Sequence, residues 1–301
     1  MDFNLVHLAI TVRTADTAQF CLRLPLLGND FAAACRINCC RWPERACGSC
    51  SRQESCPWNL VFGQNLSTDP SALKRFQKPP LPFMFTFPSP SDPANSATEI
   101  ECGLVVIGQA IPCLELLLEG FREILQPLGA EVLLVGTRDY QGIIHPLGDG
   151  TAINHPENLV VLSIKDVLDN RIWTDSCLQI RLMSPLRLFA EGRLLGHFDF
   201  SRFARSLLRR VSSLAYYYGA HEFACDYKEL SRQADAVICT DNHFIRATDS
   251  NRRMDGLLGD GRFRGDFSGL LPFIIAGLYV HAGKGSSFGS GAYELLECGP
   301  N

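Results

Sequence analysis

"HAGKGSSFGSGAYELL", residues 281–296, sets four glycines (Gly283, Gly285, Gly289 and Gly291) within nine positions and places Lys284 between the first two. Glycines lack a Cβ, so their amides can line a concave nest for phosphate oxygens, to which Lys284, Ser286 and Ser287 would add donors. A plain flexible turn is the other reading. A nucleotide P-loop is excluded, because that motif needs four residues between the first glycine and Gly-Lys-Ser/Thr. Here "GLYVHAGKG" leaves five and puts a glycine after Lys284.

Upstream, residues 200–218 carry Phe200, Phe203, Ala204, Leu207, Leu208, Val211, Leu214, Ala215 and Tyr218 at helical spacing, with Asp199 placed to cap the helix and Gly219 to end it. On the opposite face Arg202, Arg205, Arg209 and Tyr216 form one stripe, with Arg210 beside it. From Arg181 to Ser213 seven arginines face only Glu191 and Asp199, in a chain whose net charge is -4. Bulk charge therefore gives no general affinity for nucleic acid, but a local basic surface of this kind attracts a phosphate backbone, and Tyr216 could stack a base. A solvated helix face is the plainer alternative. A second basic segment, residues 246–267, holds five arginines interrupted by glycines and reads as a hairpin or pair of loops.

The first half has its own pattern. Residues 5–12 alternate, with Val6, Leu8, Ile10 and Val12 on one strand face and His7 on the other. Residues 70–95, rich in proline and serine, predict irregular chain with one edge strand. Residues 104–108 and 131–136 predict strands, and residues 112–126 a helix with Pro112 in its first turn. The loop 145–158 is the candidate boundary, giving units of 1–150 and 151–301 that stay in contact. A strand–helix–strands–helix–strand order in each half predicts an α+β chain of two tandem ferredoxin-like domains.

Seven of the thirteen cysteines fall in the first 56 residues. Cys40, Cys47, Cys50 and Cys56 are spaced C-x6-C-x2-C-x5-C in a Cys-rich loop over about residues 35–58, with Cys39 able to replace Cys40. Such a set could close a structural zinc site, ligate an iron–sulfur cluster, or remain as free thiols. The longest apolar run, residues 270–280, contains Pro272 and Gly277 and is too short to cross a bilayer. The expectation is a cytoplasmic protein with reduced thiols.

Several segments in order resemble one family: "CGSCSRQESCPWNLVFG" (47–63), "GLVVIGQAI" (103–111), "MSPLRLFAEGRL" (183–194), "FDFSRFARSLLRRVSSL" (198–214), "SNRRMDGLLGDGRFRGDF" (250–267) and "LYVHAGKGSSFGSGAYEL" (278–295). The chain is identified as similar to the RAMP superfamily, in particular the CRISPR-associated endoribonucleases that cut precursor CRISPR RNA within its repeats. The resemblance implies two ferredoxin-like domains and RNA running over a basic surface that includes the glycine-rich loop (281–293). It also implies metal-independent cleavage, in which a ribose 2′-hydroxyl attacks the adjacent phosphate and leaves a 2′,3′-cyclic phosphate and a 5′-hydroxyl.

That chemistry needs a base, an acid and a cation at the phosphate. Many members of the family place a histidine after the first strand, whereas this chain has none between His7 and His145. His281, His7 and Lys284 are the catalytic candidates, with Tyr293 a weaker proton donor. Gly283, Lys284, Gly285, Ser286, Ser287, Gly289, Gly291, Arg187, Arg202, Arg205, Arg209, Arg252 and Arg253 are the RNA-binding candidates. Catalysis needs no cofactor on this reading, structural zinc is the candidate metal, and the partners are CRISPR repeat RNA and other CRISPR effector subunits. A non-cleaving RAMP subunit that holds guide RNA is the competing function, and a phosphate-binding metabolic enzyme is a third.

Overall fold

A computed structural model describes residues 2–45, 47–75, 78–88, 98–170, 176–219, 225–248 and 255–298. The first half runs β1 (Asn4–Thr14), α1 (Thr17–Arg23), α2 (Gly28–Cys39), α3 (Pro57–Phe62), α4 (Pro70–Arg75), β2 (Phe83–Thr86), β3 (Glu99–Ile107), α5 (Leu114–Leu125), β4 (Ala130–Arg138), β5 (Ile144–Asp149), β6 (Leu162–Ser163) and α6 (Ile164–Asp169). The second half runs β7 (Cys177–Leu186), β8 (Phe189–Ala190), β9 (Arg193–Leu194), α7 (Phe200–Tyr218), α8 (Tyr227–Ala236), β10 (Ile238–Asn242), β11 (Ile245–Ala247), β12 (Gly256–Arg264), α9 (Leu271–Val280) and β13 (Tyr293–Leu296).

The first sheet has the order β2-β3-β1-β4-β5 and the second β10-β12-β7-β13, and all the pairings are antiparallel. Each half is a ferredoxin-like βαββαβ unit, so the chain is α+β with two such units in tandem. The first sheet reaches past residue 150, because Asn4 and Leu5 pair with Ser163 and Leu162.

The two-residue period of β1 explains how the halves meet. Val6, Leu8, Ile10 and Val12 point into one core with Phe31, Leu117 and Phe121 from α2 and α5. Leu5 points the other way, into a second core with Met84, Val105 and Ile107 and with Phe203, Leu207 and Ile274 from α7 and α9. His7 lies on this second face, partly buried. The units thus share apolar packing, and the start of the expected boundary loop 145–158 is the strand β5 of the first sheet.

α7 spans the predicted residues, and the Asp199 carboxylate accepts from the Arg202 amide at 3.0 Å at its start. The predicted helix 112–126 divides instead: residues 108–113 form a tight 3-10 segment containing Pro112, and the α-helix begins at Leu114. β2 is the expected edge strand, and the glycine-rich loop covers its outer side through a parallel bridge between Phe85 and Phe288.

Cys177 and Cys298 form a disulfide that ties the start of β7 to the chain just after β13. This corrects the expectation that every thiol stays reduced. No helix among the described residues is long and apolar enough to cross a membrane.

Candidate nucleic-acid interface

The glycine-rich loop leaves α9 through a strained residue. His281 has φ 58° and ψ 170°, a backbone region that is essentially restricted to glycine. Gly283, Gly285, Gly289 and Gly291 follow, all at positive φ. At Gly291 a Cβ would run into the Ala282 carbonyl oxygen, and at Gly283 one would meet the Arg187 carbonyl oxygen at 2.6 Å. Only glycine fits these two positions.

The loop folds back on the protein and uses up most of its own donors. The amide of Gly283 donates to Ser206 Oγ at 2.9 Å, that of Lys284 to the Arg187 carbonyl at 3.0 Å, and that of Gly291 to the Pro185 carbonyl at 3.1 Å. The amides of Phe288, Gly289 and Ser290 bond to carbonyls inside the loop. The expected nest of free amides is therefore corrected, since a buried loop must satisfy its own backbone. Ser286 and Ser287 are buried as well, and Ser286 Oγ donates to the Gly283 carbonyl at 2.8 Å. Neither serine hydroxyl is presented to a ligand. Lys284 and Gly285 are what the loop exposes.

Beside Lys284 opens a cleft of about 720 Å³, walled by α7, the start of the β8–β9 hairpin and the loop. Lys78, Arg187, Arg202, Arg205, Arg209, Arg210 and Lys284 line it, and among the described residues no carboxylate does. Arg202 and Arg209 are exposed, with no ion-pair partner among the described residues. Arg205 is tied to Asp235 by an ion pair of 2.5 Å. Lys284 Nζ sits 5.2 Å from the centre of the half-exposed Phe189 ring, a cation–π contact that steadies the lysine at the rim. Tyr216 does not face the cleft as a stacking platform, because its hydroxyl lies 2.9 Å from Ser67 Oγ.

The two histidines converge, although 274 positions separate them in the chain. His281 is 2 % exposed, and burial, followed by the nearby Arg210 charge, lowers its pKa to about 3. Burial and then Arg138 lower that of His7 to about 4. Both rings are neutral at pH 7, and a charge on His7 would further disfavour protonation of His281. His7 packs edge-on against Tyr279 at 6.0 Å. The Tyr293 hydroxyl donates to the Ile274 carbonyl at 2.5 Å inside the core, so it is a structural tyrosine. In this conformation His281 is closed to a nucleotide, and its place is the joint between the loop and the first sheet.

Arg252 and Arg253 lie outside the described residues. Cys40 caps the end of α2, Cys47 opens a 3-10 turn that Cys50 follows, and Cys56 precedes α3. Among the described residues no three His, Cys, Asp or Glu side chains stand together as metal ligands. Sequence reasoning missed Lys78 and Phe189. Lys78 sits in aperiodic proline-rich chain that carries no signal, whereas Glu191-Gly192, both at positive φ, mark the tight hairpin that presents Phe189.

Comparison with known proteins bears on this geometry. Residues 180–293 match the family model of the CRISPR-associated endoribonuclease Cas6, and residues 18–136 match a second model described as an N-terminal domain. No curated protein matches in sequence. Among solved structures, a Cas6 of Thermus thermophilus is similar with a TM-score of 0.55 at 12% identity, over 98% of this chain and 99% of that one. A second Cas6, bound to a substrate mimic, gives 0.51 at 12% identity over 97% and 99%. A chain of a Cas6-RT-Cas1–Cas2 complex gives 0.51 at 12% identity, over 98% of this chain but 46% of that one. At such identities the structures establish a shared fold.

Proposed function

We propose that this chain, whose residues 180–293 match the family model of the CRISPR-associated endoribonuclease Cas6, is a RAMP-type processor of precursor CRISPR RNA that binds repeat RNA along the basic cleft and cuts it there. The observation that carries the reading is the cleft itself, in which six further cations and, among the described residues, no carboxylate surround the exposed Lys284 of the glycine-rich loop. A surface with so unbalanced a charge, in a chain that is negative overall, favours a polyanion held locally. The solved Cas6 relatives include complexes with product and with a substrate mimic, which supports RNA as the partner. The relative in a Cas6-RT-Cas1–Cas2 complex supports assembly with other CRISPR subunits.

The proposed reaction is attack of the ribose 2′-hydroxyl on the adjacent phosphate, giving a 2′,3′-cyclic phosphate and a 5′-hydroxyl end. Lys284 would stabilise the charge that develops on the phosphate oxygens, and Arg202, Arg209 and Arg187 would position the backbone. Of the two histidines, only His7 is partly open. Its neutral ring would accept the 2′-hydroxyl proton if the RNA strand reached its partly exposed edge where the two domains meet. His281 acts on this reading by holding the loop in place.

Affinity for repeat RNA measured across a range of salt concentrations tests the binding half of the proposal. A steep fall in affinity with salt, moderated in Arg202→Ala/Arg209→Ala, is expected. Salt-independent binding, or none, would contradict it.

A further inference from the structure

Three polar atoms on the walls of the basic cleft have no protein partner. Ser213 is 4 % exposed, and its Oγ meets neither a donor nor an acceptor. Arg210, three residues earlier on α7, donates through Nε to the Val280 carbonyl at 2.6 Å, while its Nη2 is closed off from solvent with no acceptor. Arg187, across the cleft at the end of β7, buries its Nε in the same way. All three residues line this one cleft.

This arrangement is expensive unless something else completes it. A buried hydroxyl or guanidinium N–H without an acceptor forfeits its solvation, and a sunken cation without a counter-charge forfeits more. No carboxylate among the described residues pairs with Arg210, and burial holds its pKa down to about 10. By contrast, Arg205 on the same helix meets Asp235, and Arg138 meets Glu101. An acceptor with negative charge and several oxygens, entering from the cleft that Arg210 lines, would complete the arrangement.

We infer that Arg210, Ser213 and Arg187 form an oxyanion pocket in the cleft that takes a single phosphate group. Two guanidinium groups and one hydroxyl are donors that phosphate oxygens accept, and the buried Ser213 sets them apart from the exposed Lys284 at the rim. The inference deepens the RNA reading by assigning one phosphate of the bound strand to a fixed place. It depends on that reading only for the source of the phosphate.

Inorganic phosphate, titrated against the full chain and followed by thermal unfolding, tests the pocket without RNA. Wild type is expected to gain stability with phosphate concentration, and Arg210→Gln and Ser213→Ala to need on the order of 10-fold more phosphate for the same shift. Ser213→Ala guards against misfolding, because Oγ has no partner to strand. Repeat RNAs carrying one neutral methylphosphonate at each successive linkage then identify the source. A single linkage whose neutralisation weakens wild type but not Arg210→Gln places an RNA phosphate in the pocket, whereas a phosphate response with no such linkage assigns it to free phosphate. Repeat RNA that does not bind at all would end the RNA reading and leave the pocket standing on the phosphate titration. No phosphate response in wild type, or the same response in both variants, would overturn the inference and leave water as the partner of these atoms.

Discussion

The imidazole Nε2 of His281 and the hydroxyl of Thr86 lie 3.2 Å apart and join the root of the glycine-rich loop to the edge strand of the first sheet. The Phe85 amide adds a second tie by donating to the Ser287 carbonyl at 3.1 Å. Each domain thus fixes one side of the loop, so Lys284 is positioned by the whole chain rather than by its own hairpin. Thr86→Val keeps the shape of the side chain and leaves His281 Nε2 buried without a partner. It is expected to cost about 1–3 kcal/mol in chemical denaturation and to speed amide exchange across 283–291. Unchanged exchange would detach the loop from this contact.

Acid should weaken the protein earlier than carboxylate titration alone would. His7 and His281 have folded pKa values of about 4 and about 3, below the unfolded value of 6.5, so the unfolded chain takes up their protons first. Their contribution is complete above pH ~6.5 and is lost as pH falls through that window toward the folded values. The slope approaches about 1.4 kcal/mol per pH unit for each histidine. Denaturation midpoints between pH 7 and pH 4 check this, and His281→Asn is expected to flatten the curve.

Arg202 and Arg209 are free to meet phosphate, whereas Arg205 is held by Asp235. Removing Arg202 and Arg209 together should reduce the salt slope of RNA binding by about 1.4 and weaken binding to every sequence alike, taking ~0.7 per phosphate of a single strand. Asp235→Asn should act in the opposite direction by releasing Arg205. Filter binding at several salt concentrations measures both effects, and identical slopes in all three proteins would remove α7 from the interface.

The Cys177–Cys298 bond closes a loop of 121 residues around almost the whole second domain. Restricting so long a loop in the unfolded chain is worth up to about 4–5 kcal/mol in the chain-entropy account. Dithiothreitol should lower the denaturation midpoint of wild type and leave Cys298→Ser unaffected. Equal sensitivity of the two proteins would show that the bond does not stabilise the fold.

Much of this molecule was legible in its residues, and the limits have physical causes. α7 announced itself because its period, its Asp199 cap and its Gly219 end all agree. β1 did so because its alternation serves two cores at once, with Val6 facing one and Leu5 the other. The family segments pointed to the fold, and the arginine stripe pointed to the cleft. What stayed hidden was which donors the glycine-rich loop consumes, since the sequence shows Lys284 and Gly291 but not the Arg187 and Pro185 carbonyls their amides meet across the chain. The meeting of His7 with His281, and of Arg187 with Arg210 and Ser213, was equally illegible, because it depends on the packing of the two domains rather than on spacing along either one.

The central claim is that the cleft beside Lys284 processes repeat RNA without metal. Incubating the purified chain with CRISPR repeat RNA in EDTA, followed by end-group analysis, tests it most directly. The account predicts one cut that leaves a 2′,3′-cyclic phosphate and a 5′-hydroxyl, slowed on the order of 100-fold or more in Lys284→Ala. Tight binding with no cut by wild type, or a cut whose rate is indifferent to Lys284, would contradict it.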